Sequence, residues 1–183
     1  MSRNDKPLLI LDLDETLIRG VREPLPRVPE MSVGPYSIYF RPFARDFLAS
    51  RVVRFTLGFW SSSSLNYVGP ICQELMKGLP EPLFVWDRSR CIQRYDFHSR
   101  KEFYLKDLSR VAKNGVDLAR VLIVDDEPRK LTLNHGNAIY VQSFLGDQAD
   151  EELKLLAEYL DRISDVQDFR RLDKQNWRDS LSV

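Results

Sequence analysis

The sequence predicts an α/β fold in which a central parallel sheet is flanked by helices. Three apolar runs, at residues 8–11, 52–60 and 120–124, are each long enough for one strand, and each is followed by polar side chains. Continuous apolar runs are typical of strands buried on both faces, as in parallel sheets. Apolar residues at helical spacing recur between these runs and after the last one, which predicts the flanking helices.

The first predicted strand ends in two carboxylates, Asp12 and Asp14, followed by Thr16. In an open α/β sheet, ligands bind outside the carboxyl ends of the strands, where such a polar pair can meet a substrate. The alternative is an Asx-type turn or a helix cap, because Asp and Thr favour both positions. Taken alone, this segment leaves the choice between chemistry and a turn open.

Residues 19–35 follow, with four prolines among them. This density argues against regular structure and predicts a protruding loop or a short hairpin close to the site. Residues 36–40 alternate and are rich in β-formers, which predicts a strand. The spacing of apolar residues then predicts a helix over residues 43–50.

The second apolar run, residues 52–60, is followed by the four serines Ser61 to Ser64. These hydroxyls either join the acids at the same edge of the sheet or cap the helix predicted over residues 65–77, and both interpretations can hold together. Residues 83–86 predict a further short strand.

Residues 87–106 carry six basic and three acidic side chains, with aromatic residues interleaved among them. Such a segment is typical of a docking surface for a phosphorylated or acidic partner. A solvated, irregular insertion is the alternative.

The third apolar run is followed by Asp125 and Asp126. Together with Asp12 and Asp14, four acids are then expected at one edge of the sheet. Crowded carboxylates repel one another unless a cation neutralises them, and Mg²⁺ held by a few carboxylates, water and a phosphate meets that need. Beyond this point the pattern predicts a strand over residues 138–141, an amphipathic helix over residues 150–163, and one more helix near Phe169 and Trp177.

The bulk properties narrow the class of protein. With 183 residues, of which 43% are hydrophobic, we expect one domain spanning residues 1–183. Lys and Arg together number 27, as do Asp and Glu, so no global field recruits nucleic acid or an anionic membrane. Only two cysteines occur, residues 1–6 lack an apolar signal core, and no apolar segment approaches the ~20 residues that span a bilayer, which together predict a cytoplasmic protein.

The order of these residues resembles the haloacid dehalogenase (HAD) superfamily of phosphotransferases and, within it, the FCP/SCP-like, or NLI-interacting-factor-like, phosphatases and their mitochondrial Tim-type relatives. Four motifs carry the resemblance: Asp12-Leu13-Asp14-Glu15-Thr16-Leu17, Phe59-Trp60-Ser61-Ser62-Ser63, Tyr104-Leu105-Lys106-Asp107-Leu108-Ser109, and Asp125-Asp126. Arg41-Pro42, Tyr67, Pro70 and Pro128 are supporting matches. The motifs are specific as an ordered set, whereas any one alone is weak.

The resemblance implies a Rossmann-like sheet with small hairpin or loop insertions and no large cap domain. It also implies that Asp12 is the nucleophile that accepts the phosphoryl group and that Asp14 is the general acid and base. Lys106 would offset the charge on the phosphoryl oxygens.

The remaining site residues are also implied by the resemblance. Thr16, Ser61, Ser62 and Lys106 are expected to bind phosphate. Mg²⁺ is expected on Asp12, the backbone carbonyl of Asp14, Asp125 and Asp126. We therefore expect a Mg²⁺-dependent phosphomonoester hydrolase that forms an aspartyl phosphate and acts on phosphoserine or phosphothreonine in a protein or peptide.

Two alternatives belong to other classes: a catalytically silent peptide-binding module like the Tim-type receptors, and a small-molecule phosphatase. The intact acids and Lys106 argue against the first, and an uncapped, open site argues against the second. Two departures from the family bear on substrate choice. Ser61 stands where Thr is usual, and Glu127 stands where a small residue is common and adds negative charge near the site.

Overall fold

The computed structural model describes residues 6–98 and 100–181, so the N-terminal segment predicted to lack a signal core lies, apart from Lys6, outside the described residues. Within that part the chain forms ten β-strands and four α-helices, joined by loops and short 3-10 turns. The strands are β1 (Leu8–Leu11), β2 (Ile18–Val21), β3 (Met31–Val33), β4 (Tyr36–Phe40), β5 (Thr56–Trp60), β6 (Val85–Trp86), β7 (Ile92–Asp96), β8 (Lys101–Leu105), β9 (Val121–Asp125) and β10 (Ala138–Tyr140). The helices are α1 (Ala44–Arg54), α2 (Leu65–Leu75), α3 (Ser109–Ala112) and α4 (Glu152–Ile163).

A five-stranded sheet in the order β10-β9-β1-β5-β6 forms the centre of the molecule. All four strand pairs in it are parallel. Leu11 pairs with Phe59 on one side and with Val124 on the other, so β1, β5 and β9 end level with one another. The predicted α/β fold with a central parallel sheet is confirmed, and its carboxyl edge collects the polar residues that follow the strands.

The middle strand, β1, is buried on both faces, as its unbroken apolar sequence predicts. Leu9 and Leu11 point into the larger apolar cluster, which includes residues of α1, α2 and α4. Leu8 and Ile10 point into a second cluster on the opposite face. Because successive side chains alternate between the faces of a strand, one short run anchors both layers.

The proline-rich segment contains more regular structure than its composition predicts. It contributes β2 and β3, and both pair in antiparallel fashion with β4 to form a separate three-stranded sheet. The prolines lie outside these short strands, so no ladder hydrogen bond is lost to them. The basic segment likewise forms an antiparallel hairpin of β7 and β8. Both insertions are small, as the family resemblance implies.

One boundary prediction is wrong. The apolar run at residues 52–60 was expected to be all strand, yet α1 continues to Arg54 and β5 begins only at Thr56. The reason is tertiary packing, because Arg51 is buried against α4, donating to the Ala157 carbonyl and, at 2.9 Å, to Asp161. This contact outweighs the low helix propensity of Val52 and Val53.

The helix expected near Phe169 and Trp177 is also absent among the described residues, where only 3-10 turns occur. The Lys174 ammonium donates to the carbonyls of Phe169 and Leu172, which removes the need for helical partners. The Trp177 indole N–H donates to the Tyr140 carbonyl at 2.8 Å and fixes this segment on β10. Among the residues that the structure describes, every helix is too short or too polar to cross a bilayer.

Candidate active site

The carboxyl edge of the central sheet brings together side chains from three neighbouring strands. Asp12 follows β1, Ser61 follows β5, and Asp125 ends β9; all three residues are buried. The Asp12 amide donates to the Val124 carbonyl at 3.0 Å, which extends the pairing with β9 up to the site. Side chains far apart in sequence therefore converge because their strands end level.

Lys106 lies at the centre of this group. It follows β8 and is fully buried, and its Nζ donates at 2.6 Å to both Asp12 Oδ1 and Asp125 Oδ2. Its backbone is also fixed, because its carbonyl accepts from the Asn134 amide group, while Asn134 Oδ1 accepts from the Leu108 N–H at 3.0 Å. Burial alone would lower the pKa of Lys106, but the two carboxylates outweigh it and raise that pKa.

The two carboxylates that share Lys106 differ electrostatically. Burial opposes ionisation of Asp12, yet the nearby ammonium groups of Lys106 and Lys130 dominate and lower its pKa. Burial, together with the charge of Asp12, raises the pKa of Asp125 to about 6. Asp12 is thus the carboxylate that the site holds in its anionic form, as a nucleophile must be.

Asp14 has a different environment, one turn beyond Asp12. Its carboxylate accepts hydrogen bonds from the Ser63 hydroxyl at 2.9 Å and from the Tyr67 hydroxyl at 2.7 Å. Burial raises the pKa of Asp14, and the charge of Asp12 adds to the rise. A raised pKa suits a group that donates and recovers a proton.

Gly20 on β2 makes room for the Tyr67 hydroxyl that holds Asp14. A Cβ at this position would lie 2.0 Å from the Tyr67 hydroxyl oxygen, closer than any real contact. Glu15, next to Asp14, has φ 58°, a left-handed conformation that non-glycine residues rarely adopt. The backbone around Asp14 is therefore both crowded and strained, as is common at functional sites.

The hydroxyl residues predicted to bind phosphate occupy varied positions. Thr16 is fully buried, and its Oγ1 has no hydrogen-bond partner in the described part of the chain. Ser61 Oγ accepts from the Ser63 N–H at 3.0 Å, and the Ser62 carbonyl accepts from Arg88 Nε at 3.1 Å. Ser64 stands at the N-cap of α2, but its side chain makes no capping bond. The hydroxyls of Ser61 and Ser63 therefore act at the strand end, while Ser64 precedes α2 without a side-chain cap.

Three carboxylates could hold a metal ion. Asp12, Asp125 and Asp126 each offer one oxygen, and these oxygens lie within 4.8 Å of one another. The donor set is all oxygen, as Mg²⁺ prefers. Asp126 Oδ1 is buried with no hydrogen-bond partner, while its other oxygen accepts from the Ser143 hydroxyl at 2.7 Å. A buried carboxylate oxygen that accepts no hydrogen bond and faces two others fits a hard divalent cation.

The sequence analysis missed Lys130. It lies on the 3-10 turn Pro128–Leu131 after β9, and its Nζ is 3.4 Å from Asp12 Oδ2 and 3.3 Å from Asp125 Oδ1. The same ammonium is 3.7 Å from Asp126 Oδ1. Its separation of four positions from Asp126 would be a signal only on an α-helix, and Asp126 lies before this 3-10 turn.

Another buried cation, Arg41, holds the loop that carries Thr16. Its guanidinium forms a bidentate pair with Asp150, with distances of 2.8 and 2.7 Å, and donates to the Thr16 carbonyl at 3.1 Å. Arg41 thus ties the end of β4, the loop after β1 and the start of α4 together. The sequence analysis named Arg41 only as a supporting family match.

The hairpin of β7 and β8 stands beside this edge. Arg129, on the same turn as Lys130, packs its guanidinium 3.6 Å from the Phe103 ring centroid and pairs with Asp96 at 3.0 Å. Tyr95 and Phe97 near the hairpin tip are exposed. The basic segment is therefore an ordered, aromatic projection attached to the rim of the site.

Comparisons with known proteins agree with this geometry. A family model described as "NLI interacting factor-like phosphatase" matches residues 7–170. The chain is 33% identical over 171 residues to the "Probable C-terminal domain small phosphatase" of Dictyostelium discoideum, covering 88% of this chain and 52% of that protein. It is 31% identical over 174 residues to the human "Carboxy-terminal domain RNA polymerase II polypeptide A small phosphatase 1", covering 90% of this chain and 62% of that one.

The fold also has a solved counterpart. The structure of Fcp1, described as an essential RNA polymerase II CTD phosphatase, superposes with a TM-score of 0.64 at 18% identity, covering 87% of this chain and 62% of Fcp1. The chain spans roughly half to three-fifths of the length of the curated relatives cited here.

Proposed function

Because the chain belongs to the NLI interacting factor-like phosphatase family, we propose that it hydrolyses phosphomonoesters, with phosphoserine or phosphothreonine in a protein or peptide as its substrate. One observation carries the proposal: two neighbouring carboxylates have opposite partners, because Asp12 accepts from the Lys106 ammonium at 2.6 Å while Asp14 accepts from the neutral hydroxyls of Ser63 and Tyr67. Their pKa shifts follow these surroundings. Asp12 is held anionic beside Lys106, whereas Asp14 is partly buried and has a raised pKa. Pairs of titratable groups with separated pKa values mark acid and base roles.

In the proposed reaction, an Asp12 carboxylate oxygen attacks phosphorus and the bond between phosphorus and the leaving oxygen breaks. Asp14 delivers its proton to that leaving oxygen, so the product leaves as a neutral alcohol. Asp14 then takes a proton from water, whose oxygen attacks the phosphorus of the aspartyl phosphate. The bond between phosphorus and the Asp12 oxygen breaks, which releases inorganic phosphate and restores the Asp12 carboxylate. Tyr67 and Ser63 hold the Asp14 carboxylate in place for both transfers.

The charge that builds on the phosphoryl oxygens would be offset by Lys106, whose ammonium already lies 2.6 Å from Asp12 Oδ1. Thr16, Ser61 and Ser62 would donate to phosphate oxygens, a role supported by the unpartnered Oγ1 of Thr16.

Mg²⁺ would be held by the carboxylates of Asp12, Asp125 and Asp126 and by the backbone carbonyl of Asp14. When bound, it supplies positive charge to a reaction in which one anion attacks another. Three carboxylates, Asp12, Asp125 and Asp126, share two ammonium groups here, so the cluster carries surplus negative charge that supports a cation requirement.

A phosphoprotein substrate is supported by the names of the relatives and by the hairpin beside the site, whose aromatic tip and basic residues suit an acidic peptide. A cytoplasmic location remains a prediction. It is supported by the two free, buried cysteines, Cys72 and Cys91.

The decisive experiment is a screen of the purified chain against phosphoserine and phosphothreonine peptides and a panel of phosphorylated metabolites, each with and without Mg²⁺. Asp12→Asn, which is nearly isosteric, is the matched control. We expect Mg²⁺-dependent release of phosphate from the peptides by the wild type only. Activity confined to metabolites would indicate a small-molecule phosphatase. Peptide binding without turnover, indifferent to Mg²⁺ and phosphate, would indicate a silent binding module.

A further inference from the structure

Lys130 lies where a metal ion shared by the three clustered carboxylates would lie. Its Nζ is 3.4, 3.3 and 3.7 Å from one oxygen each of Asp12, Asp125 and Asp126. These are the three residues whose oxygens approach one another within 4.8 Å. The Lys130 side chain is only 12% exposed, so its ammonium is held inside the cluster and does not extend into solvent.

The two lysines of the site divide the carboxylate oxygens between them. Lys106 contacts Asp12 Oδ1 and Asp125 Oδ2 at 2.6 Å. Lys130 contacts the other oxygen of each, Asp12 Oδ2 and Asp125 Oδ1, and is the only one of the two paired with Asp126. The distances from Lys130 Nζ to these oxygens are longer than those from Lys106 Nζ, so the Lys130 ammonium lies between several acids and is not bonded closely to one. A metal ion shared by these acids would also lie between them.

We propose that Lys130 is a built-in counter-cation that competes with the divalent metal for the Asp12, Asp125 and Asp126 cluster and is displaced when the metal binds. An ammonium group has no lone pair and cannot become a ligand. Mg²⁺ binds oxygen at about 2.1 Å, so an ion on these oxygens would lie in the space around the Lys130 Nζ. Two cations that close repel strongly in a buried site.

Glu127 is the acidic partner to which the displaced Lys130 ammonium can move. Its Oε2 is already 3.7 Å from Lys130 Nζ, and its side chain is 47% exposed, so it lies on the solvent side of the cluster. The four-carbon stem of lysine allows such a movement without a change in the backbone. Glu127, which stands where the family usually has a small residue, thereby acts on metal binding through Lys130.

This inference rests on the proposed metal site, and titration calorimetry with Mg²⁺ separates the two. The full chain is compared with Lys130→Met, which keeps the length of the side chain and removes its charge, and with Lys154→Met, which removes an exposed lysine paired with Glu151 on α4. We expect Lys130→Met to bind Mg²⁺ at least about tenfold more tightly than the wild type, within the usual range of coupling between two sites. Lys154→Met should bind as the wild type does.

Two other binding results contradict the proposal, and a third outcome separates it from the proposed function. Equal or weaker Mg²⁺ binding by Lys130→Met would overturn the competition while leaving the proposed phosphatase activity intact. No binding by either protein would overturn the metal site together with the competition. Loss of peptide turnover in the screen above, with tenfold tighter binding by Lys130→Met, would overturn the proposed function alone.

Glu127→Gln tests the second half of the proposal. If Glu127 holds the displaced ammonium, this change weakens Mg²⁺ binding more in the wild-type background than in the Lys130→Met background, because only the former has an ammonium to place. Equal weakening in both would show that Glu127 acts by its charge alone and would overturn its role through Lys130.

A measurement on the unmutated protein keeps the proposal open to failure if Lys130→Met does not fold. Reductive methylation of lysines, followed by peptide mass spectrometry, reports how accessible each ammonium is. Saturating Mg²⁺ should speed labelling of Lys130 at least about threefold, while the exposed Lys154 keeps its rate and the buried Lys106 stays protected. Unchanged or slower labelling of Lys130 with Mg²⁺ would overturn the displacement.

Discussion

Two groups of buried charges, one around Arg41 and one around Lys106, differ in how completely their carboxylates are paired. Arg41 and Asp150 form a closed unit, because the guanidinium matches both carboxylate oxygens and gives its remaining nitrogen to the Thr16 carbonyl. Lys106, Asp12 and Asp125 form an open one. It lies next to Asp126, one oxygen of which accepts no hydrogen bond, and next to Asp14, which has a raised pKa. A buried charge that is fully partnered leaves no capacity for a further ligand, whereas carboxylates in excess of their ammonium partners can take up a further cation.

The largest effect is expected at Asp12, the proposed nucleophile of the open unit. Asp12→Asn removes the attacking oxyanion, so we expect the rate of phosphopeptide hydrolysis to fall by about 10⁴-fold or more. The fold should persist, because the amide keeps the size of the side chain. Steady-state kinetics and circular dichroism measure the two. Residual activity within about tenfold of the wild type would contradict the assignment of Asp12.

Lys106→Met should be the most destabilising change of the two units. It leaves the buried carboxylates of Asp12 and Asp125 with Lys130 as their nearest cation, and breaking a buried pair in this way costs about 3–5 kcal/mol of unfolding free energy. Because a divalent ion can neutralise the same acids, Mg²⁺ should restore part of that loss. Urea denaturation with and without Mg²⁺ gives both numbers, and an equal loss in the two buffers would argue that the unit is closed.

Arg41→Met breaks the closed unit and leaves Asp150 without its bidentate partner. We expect a loss of about 3 kcal/mol in unfolding free energy, somewhat below that of Lys106→Met because Asp150 is partly exposed. No metal can replace a guanidinium here, so Mg²⁺ should not restore the loss. If Mg²⁺ restored the unfolding free energy of Arg41→Met in the same experiment, the two units would not differ in the way described.

The smallest effect is expected at the edge of the open unit. Tyr67→Phe removes the hydroxyl that donates to Asp14 at 2.7 Å, which should cost about 1 kcal/mol of stability and reduce kcat several-fold. Gly20→Ala is the companion variant, because its new Cβ would lie 2.0 Å from that hydroxyl oxygen. Its destabilisation, measured by thermal unfolding, should shrink in the Tyr67→Phe background. Additive losses would show that the Cβ clashes elsewhere.

Much of the site follows from the sequence because parallel strands end at one edge. Asp12, Ser61 and Asp125 could be grouped from strand patterns alone, since their positions depend only on pairing. Lys130 could not, because it stands on a turn and its long side chain can point in many directions. Tyr67 was visible only as a family match, since its contact with Asp14 depends on how α2 packs and on the missing side chain of Gly20.

The fold was predictable where local pattern and burial agree, as in β1. It was not predictable where a distant partner decides, as at Val52, which the contact between Arg51 and α4 keeps in a helix. The helix prediction around Trp177 fails for the same reason. One hydrogen bond from the Trp177 indole to β10 and two from the Lys174 ammonium to backbone carbonyls take the place of helical hydrogen bonds. Hydrogen bonds of this kind, from one side chain to a backbone carbonyl, leave no periodic pattern in the sequence.

The sequence separation within the site sets the order of events during folding. Lys106 and Asp12 are 94 positions apart, and Arg41 and Asp150 are 109 apart. Closing such long loops is slow, and β1 remains without its β9 neighbour until that late segment is present. During refolding, helical signal should therefore appear well before catalytic competence, because a chain interrupted before residue 121 can pair β1 with β5 but lacks β9 and the acids Asp125 and Asp126 that complete the cluster.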